Sequence, residues 1–393
     1  MKIVQINAVC GMGSTGGITI QISKMLNEHN IENYIFYTYG TYDYEQGIKY
    51  SSNLNIRLNA IMARVFGNYG FNSHLATRKL IRKLKEIKPD IVHLHNIHGH
   101  DVNLKAFFRY LKESNVRVIW TFHDCWAFTG YCMHFDFLKC QKWEEMCRKC
   151  PQRSKFSLFF DKSEKLFRLK KSLFTDIEDM TIVAPSEWLA TLARHSFMDK
   201  FPVEVINNGT DLDVFYKRDT DIKQKYGLEE KYLVLGIPKE NIEWFLELAK
   251  IVSDKYQLLL AGLSRSQMES LPENIIGIGK VKNREEMAAI FSAADVFVNM
   301  TLQDTFPTVN LESLACGTPV ITFNTGGSPE AVDDETGAVV QKGNIAELYK
   351  AIQNICSGPD RSEACITRAR DLYNAKERFA EYLDLYLKKG RFE

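Results

Sequence analysis

Two carboxylates, Asp304 and Glu312, stand in the run Asp304-Thr305-Phe306-Pro307-Thr308-Val309-Asn310-Leu311-Glu312, which continues as Ser313-Leu314-Ala315-Cys316-Gly317-Thr318-Pro319. Pro307 suits the first turn of a helix, and Gly317 followed by Pro319 suits its end. Asp304 then falls in the loop before the helix and Glu312 inside it. The N–H groups of Thr308 and Val309 have no acceptor within the helix and would point at an anion, while the carboxylates could accept hydroxyl protons. A diphosphate carrying sugar hydroxyls suits that surface. Two carboxylates at this spacing are common, so the spacing alone selects no ligand.

Four other constellations could do chemistry. Gly11-Met12-Gly13-Ser14-Thr15-Gly16 is a G-x-G-x-x-G between a strand-like and a helix-like stretch, with Gly17 next. Its glycines permit close backbone approach to an anion at a helix start. Three readings follow: a phosphate- or sugar-facing turn, a plain tight turn, and a dinucleotide site. The last also wants an acidic residue closing the second strand, where Tyr37-Thr38-Tyr39-Gly40 stands. His93-x-His95-x-x-His98-x-His100 has metal-like content, but Ile97 occupies the place where a metallo-hydrolase needs Asp. Strand alternation puts His93 and His95 on one face, as structural or substrate-facing groups. Asp211-Leu212-Asp213 offers a D-x-D for a divalent ion, or capping and turn duty after Asn207-Asn208-Gly209-Thr210. Cys132, Cys140, Cys147 and Cys150 could supply the four thiolates of a closed structural zinc site, or remain buried thiols.

Such residues need a scaffold. β-branched runs at 3–9, 34–38, 91–94, 116–122, 181–184 and 204–206 read as strands, and 18–28, 73–87, 102–112 and 187–196 carry helical spacing. A second series of strands covers 232–237, 258–261, 277–279, 296–299 and 319–323, with helices at 242–253, 284–293, 308–316 and 345–355. Repeated strand–helix units imply α/β architecture with parallel sheets covered on both faces. The 393 residues accommodate two such domains, breaking in the charged stretch 211–231. Ligands of such sheets sit beyond the carboxyl ends of the strands, so two sheets facing each other there would make a cleft.

Composition bounds the function. Apolar residues make up 45% and charged residues 25%, as in soluble globular chains. Fifty basic against 49 acidic side chains leave a net charge of +1, which excludes a strong whole-molecule field for nucleic acid. No run approaches the ~18 apolar residues of a membrane span. Met1-Lys2-Ile3-Val4-Gln5-Ile6-Asn7 alternates like a strand and lacks the apolar region of a signal peptide, which reads as a cytoplasmic protein. Disulfides are then a poor default for the nine cysteines.

Asp304-x7-Glu312 followed by Ala315-Cys316-Gly317-Thr318-Pro319-Val320 resembles the E-x7-E region of family-4 retaining glycosyltransferases of GT-B fold. The resemblance extends over nearly the whole chain. It includes Val183-Ala184-Pro185-Ser186-Glu187-Trp188-Leu189, Asn207-Asn208-Gly209-Thr210-Asp211 with Phe215, Ala294-Asp295-Val296-Phe297-Val298, and Thr325-Gly326-Gly327-Ser328-Pro329-Glu330. His123-Asp124-Cys125-Trp126-Ala127-Phe128-Thr129-Gly130 and the cysteines after it are similar to a subgroup acting in bacterial exopolysaccharide, capsule or O-antigen assembly, of colanic-acid type. The resemblance implies two Rossmann-like α/β/α domains facing an interdomain cleft: an acceptor-side domain at 1–213 with a Cys-rich insertion, a nucleotide-sugar domain at 214–372, and a helix at 373–393 crossing back to the first. It implies that Glu312 binds ribose hydroxyls, that Asp304 faces the donor sugar, and that Gly16, Gly17 and His123 approach the diphosphate and sugar. Transfer would proceed with retention and without an obligatory metal or cofactor, from a nucleotide-diphosphate sugar to a glycan or lipid-linked oligosaccharide.

The chain departs from the family at two places. Asp304 is one methylene shorter than the usual glutamate. The loop after 232–237 usually carries an Arg and, a few residues later, a Lys-Gly that neutralise the leaving diphosphate; here it reads Pro238-Lys239-Glu240-Asn241, with Lys239 as the substitute. This loop is also shorter than the family's, which motivates a rival reading as a binding or scaffold subunit with weakened catalysis. A dinucleotide-dependent oxidoreductase is the third. The stretch 153–174 interleaves seven basic residues with Phe156, Phe159, Phe160, Phe167 and Phe174. It reads either as a surface helix with one buried face or as a peripheral contact with anionic lipid on the inner face of the membrane.

Overall fold

The computed structural model of the chain describes residues 1–98, 100–238 and 242–388. Its strands are β1 (Lys2–Ile6), β2 (Glu32–Tyr37), β3 (Gly47–Lys49), β4 (Ile91–Leu94), β5 (Arg117–Thr121), β6 (Met180–Ala184), β7 (Val203–Val205), β8 (Tyr232–Gly236), β9 (Tyr256–Ala261), β10 (Ile275–Ile278), β11 (Val296–Asn299), β12 (Val320–Phe323) and β13 (Gly337–Val340). They form two sheets, ordered β3-β2-β1-β4-β5-β6-β7 and β10-β9-β8-β11-β12-β13, with parallel pairing throughout. Each order reverses direction once, between β1 and β4 and between β8 and β11. Central strands such as β6 and β12 are buried along their whole length, which is why they read as unbroken apolar runs.

The chain divides into two compact units, Met1–Asn207 with Phe379–Glu393, and Asn208–Arg378. The sequence places the boundary a few residues later, after 213. In the first unit an aromatic-rich core gathers Phe107, Phe108, Trp120, Trp126, Phe128 and Phe174. In the second, one core holds Leu311, Leu314 and Phe297, and another holds Val298, Ile321 and Leu348.

The edge strands β3 and β13 escape sequence reading because they are short and only part-buried. The helix Asn53–Phe66 escapes it too. It is capped by Ser52, which accepts from Asn55 N–H, and stops at Gly67 with φ +67°. The last helix, Ala375–Leu387, returns residues 379–388 to the first unit. There Tyr386 Oη lies 2.7 Å from His93 Nδ1, and Tyr382 Oη 3.1 Å from Thr121 Oγ1. Arg117 donates to the carbonyls of Leu385, Tyr386 and Lys388, satisfying the open end of that helix.

Candidate active site

In the second unit, the loops leaving the carboxyl ends of β11 and β12 meet at the start of the helix Thr308–Ala315. Pro307 is its N-cap, in extended backbone, and Leu311, Leu314 and Ala315 bury its inner face. Asn310, fully buried, accepts from Asn299 Nδ2 at 2.8 Å and donates to Ser328 Oγ at 3.1 Å. Ser328 Oγ in turn lies 2.6 Å from Thr322 Oγ1. This buried chain of polar groups ties the helix to the ends of both strands and to the 324–328 loop.

The Asp304 carbonyl accepts from Gly327 N–H at 3.0 Å, and its carboxylate accepts from Phe306 N–H at 3.2 Å. Asp304, Thr308, Val309 and Glu312 are each partly exposed. The site thus presents two carboxylates and the free end of a helix on a backbone frame. Gly326 is part of that frame: its φ is +56°, and a Cβ there would lie 2.0 Å from the Asp304 carbonyl oxygen. Gly326→Ala is therefore expected to lower stability by about 1–3 kcal/mol through strain and to depress donor turnover by moving Asp304. Unchanged melting temperature and turnover would show that the loop does not hold Asp304.

In the first unit, the β1 turn brings Gly16 and Gly17 to the head of the helix Gly13–Glu28. A Cβ on Gly16 would lie 3.0 Å from Gly11 N and 3.2 Å from Val9 Cγ2, so this glycine serves close packing of the turn. Gly17 has open space at the same place and is the one of the pair whose backbone a ligand can approach.

His123 follows β5 and is partly exposed. Its Nε2 lies 3.0 Å from Nδ1 of buried His95, whose own Nε2 lies 3.2 Å from Gln5 Oε1. The proton positions follow from one fixed acceptor. Gln5 Nε2 donates to the Thr19 carbonyl at 3.1 Å, so its Oε1 must accept and His95 Nε2 must carry a hydrogen. Burial holds His95 far below the usual histidine range, with His93 and His123 adding to the effect. His95 is therefore neutral near pH 7, its Nδ1 accepts, and His123 Nε2 donates. Burial lowers His123 to about 4, Asp124 opposing the shift and His98 adding to it. Neutral His123 consequently keeps Nδ1 as an acceptor, suited to a hydroxyl proton rather than to an anion. Beside it, His98 Nε2 lies 2.9 Å from Asp124 Oδ2. Burial works to raise that carboxyl, but His98, His134 and the Trp126 N–H together hold Asp124 low.

Sequence reasoning singled out the carboxylates, the glycines and His123, but not the buried groups that orient them. A buried Gln5 within an apolar strand, and Asn310 on the inner face of an apolar helix, were the available signals. Asp101 was missed as well; it is buried and accepts from Thr38 and Tyr50 at 3.0 and 2.9 Å.

Other candidates are placed differently. Lys239 lies outside the described residues. Asp211 pairs with Arg284 at 3.2 Å and Asp213 with Lys376 at 2.9 Å, which occupies the D-x-D in structural contacts. Of the two readings of Cys132, Cys140, Cys147 and Cys150, structural zinc finds no support: among the described residues no group of three or more His, Cys, Asp or Glu side chains is placed to hold a metal ion. Cys132 is buried in the aromatic core with its Sγ 3.9 Å from that of Cys150, and Cys140, Cys147 and Cys150 pack against the same core. Cys147 Sγ accepts instead from Gly130 N–H at 3.2 Å. Apolar packing accounts for these thiols.

The basic aromatic stretch is also divided by the structure. Phe156, Phe167 and Phe174 are buried, while Phe159 and Phe160 are exposed. Lys170 is fully buried, its Nζ 2.7 Å from the Trp126 carbonyl and 3.6 Å from that ring's centroid.

Two parallel sheets, each with its candidate residues on loops beyond the carboxyl ends of the strands, define the fold class, GT-B. A family profile described as Glycosyltransferase Family 4 matches residues 18–214, and one described as Glycosyl transferases group 1 matches 232–357. The chain belongs to glycosyltransferase family 4. A protein of Escherichia coli (strain K12) named as a colanic acid biosynthesis glycosyl transferase, WcaC, is 23% identical over 98% of this chain and 99% of its own length. Among solved structures, a sucrose-phosphate synthase of Thermosynechococcus elongatus superposes with a TM-score of 0.71 at 17% identity over 98% of both chains. Anabaena Alr3699/HepE, solved in complex with UDP-glucose, superposes with a TM-score of 0.65 at 13% identity over 98% of this chain and 100% of its own.

Proposed function

We propose that this chain moves a sugar from a nucleotide-diphosphate sugar to a lipid-linked glycan acceptor, with retention and without an obligatory metal ion, in the synthesis of a surface polysaccharide. The observation that carries the donor reading is the frame around Asp304 and Glu312 at the open start of the helix Thr308–Ala315. In this reading Glu312 accepts from two ribose hydroxyls, Asp304 from a sugar hydroxyl, and the Thr308 and Val309 N–H groups meet the diphosphate. Gly17 offers backbone to the donor, Gly16 lets the turn close beneath it, and His123 Nδ1 accepts from a donor-sugar hydroxyl. Lys239 neutralises the leaving diphosphate.

The bond from the anomeric carbon to the diphosphate breaks, and the acceptor oxygen bonds to that carbon on the same face. The acceptor proton passes to a donor phosphate oxygen, so the protein need supply no nucleophile. The full-length similarity to WcaC supports the polysaccharide context, and the UDP-glucose complex of HepE makes UDP-glucose the first donor to test. No helix among the described residues is long and apolar enough to cross a membrane. In this reading a lipid-linked acceptor is met by peripheral contact on the inner face.

The test is release of free nucleoside diphosphate from a panel of UDP-, GDP- and dTDP-sugars. Release with at least one donor, undiminished by EDTA and reduced by Lys239→Ala, is the expected result. No release with any donor, with or without cell-derived lipid acceptors, would favour the scaffold reading.

A further inference from the structure

The helix Asn53–Phe66 is amphipathic the wrong way round for a packed surface helix. Its buried residues are Ile56 and Ala63, one small and both on the same side. Leu54, Leu58, Ile61, Met62 and Phe66 are between 41% and 69% exposed. They recur at i, i+4, i+7, i+8 and i+12, which at 3.6 residues per turn makes one continuous face opposite the buried pair. Folding therefore leaves the larger apolar face of this helix uncovered.

A second exposed apolar group lies at its end. Leu158, Phe159 and Phe160 are half or more exposed. Leu158 N–H donates to the Arg64 carbonyl at 2.8 Å, and Lys162 Nζ donates to Asn68 Oδ1 at 2.8 Å, so this loop is fastened to the helix terminus. Contiguous patches of this kind mark interaction sites.

The charges select the partner. The helix carries Arg57 and Arg64 and no Asp or Glu. Around the loop stand Lys155, Lys162 and Lys165, while the nearby acids are engaged: Asp161 accepts from Cys150 and Ser163 N–H, and Glu164 pairs with Arg168. A second copy of this chain meeting the same face would bring like charges together. An anionic bilayer accepts both the apolar ridge and the basic rim.

We propose that the 53–66 helix, with the 158–160 loop, is the surface on which this enzyme docks on anionic lipid. This rests on the peripheral-membrane reading above, keeps the 158–160 loop of the 153–174 stretch, and moves the main contact to the 53–66 helix. The apolar face inserts at the headgroup boundary, and the arginines stay at the level of the phosphates.

The experiment is flotation of the full chain with phosphatidylglycerol or phosphatidylcholine vesicles at low and high salt. Variants are Leu58→Asp/Ile61→Asp, Phe159→Ser/Phe160→Ser and Lys165→Glu/Lys171→Glu, each with its melting temperature and UDP-sugar hydrolysis. Wild type should float with phosphatidylglycerol at low salt and less well with phosphatidylcholine. Leu58→Asp/Ile61→Asp should lose about tenfold or more of the bound fraction with unchanged melting and hydrolysis, and the phenylalanine pair should lose less. If wild type ignores phosphatidylglycerol, this proposal and the membrane reading both fall. If wild type floats and Leu58→Asp/Ile61→Asp floats equally, the membrane reading stands and the helix proposal is overturned. A concentration-dependent dimer abolished by Leu58→Asp/Ile61→Asp, without vesicle binding, would assign the face to a second copy instead.

Discussion

Glu312→Ala is expected to weaken nucleotide-sugar binding by about 1.5–3 kcal/mol, the range for hydrogen bonds to a charged acceptor, or roughly ten- to more than a hundredfold in Kd. The fold should not change. Glu312 is only partly buried, and the helix is held by its neighbours Leu311, Ser313 and Leu314, all buried, and by Asn310 through Asn299 and Ser328. The side chain is therefore not part of the buried core. Glu312→Gln keeps the shape and one acceptor oxygen and should lose less. Calorimetric titration with whichever sugar nucleotide is hydrolysed, together with a thermal melt, provides the check. Unchanged affinity in a folded Glu312→Ala chain would remove Glu312 from the donor site.

The second large effect is a loss of stability on mild acidification. Burial lowers His93 to about 3, with His123 adding to it, and burial lowers His123 and His100 to about 4. In the unfolded chain a histidine titrates near 6.5. Between those values the unfolded state binds protons that the native state refuses, so stability is complete above pH 6.5 and declines as pH falls toward 4. A single unit of separation at each of these three histidines removes about 4 kcal/mol, a large share of the 5–15 kcal/mol typical of a domain. Asp124 does not cancel this, because a carboxyl held below its usual value loses its contribution only as pH drops below about 4. Urea unfolding of the full chain at pH 7.5 and pH 5 is the measurement. Equal midpoints would mean that these imidazoles reach protons without unfolding. Replacing His93 by Gln should flatten the slope, since Gln can still meet Tyr386 and Thr121 but cannot titrate.

Much of the fold was legible in the chain because parallel strands buried on both faces must be apolar along their length. Stretches such as 91–94 and 296–299 emerged with the bounds of β4 and β11. The helix 284–293 was equally legible, since Asn283 caps it and its apolar residues recur at helical spacing. The edge strands β3 and β13 were not, because half-exposed strands of three or four residues carry no such run. The helix Asn53–Phe66 was not either: its apolar face meets solvent, so no neighbouring element shares its pattern.

The sequence by itself determined the chemical inventory and the family: two carboxylates flanking a helix start, a glycine turn after the first strand, and a histidine after β5, in motifs that mark family 4. Those features are local, and local spacing suffices to recognise them. Which groups meet was decided only by tertiary structure. Gln5 and His95 lie 90 positions apart, yet adjacent parallel strands bring them together and so set the proton on His123. The four cysteines, which the sequence left as either a zinc site or buried thiols, pack on an aromatic core, because coordination depends on convergence in space, which spacing along a chain does not provide. Likewise, only folding revealed that Lys170 is buried while Leu58 and Ile61 are not. Hydrophobicity says which residues can be buried, and the number of faces available in the folded chain decides which of them are.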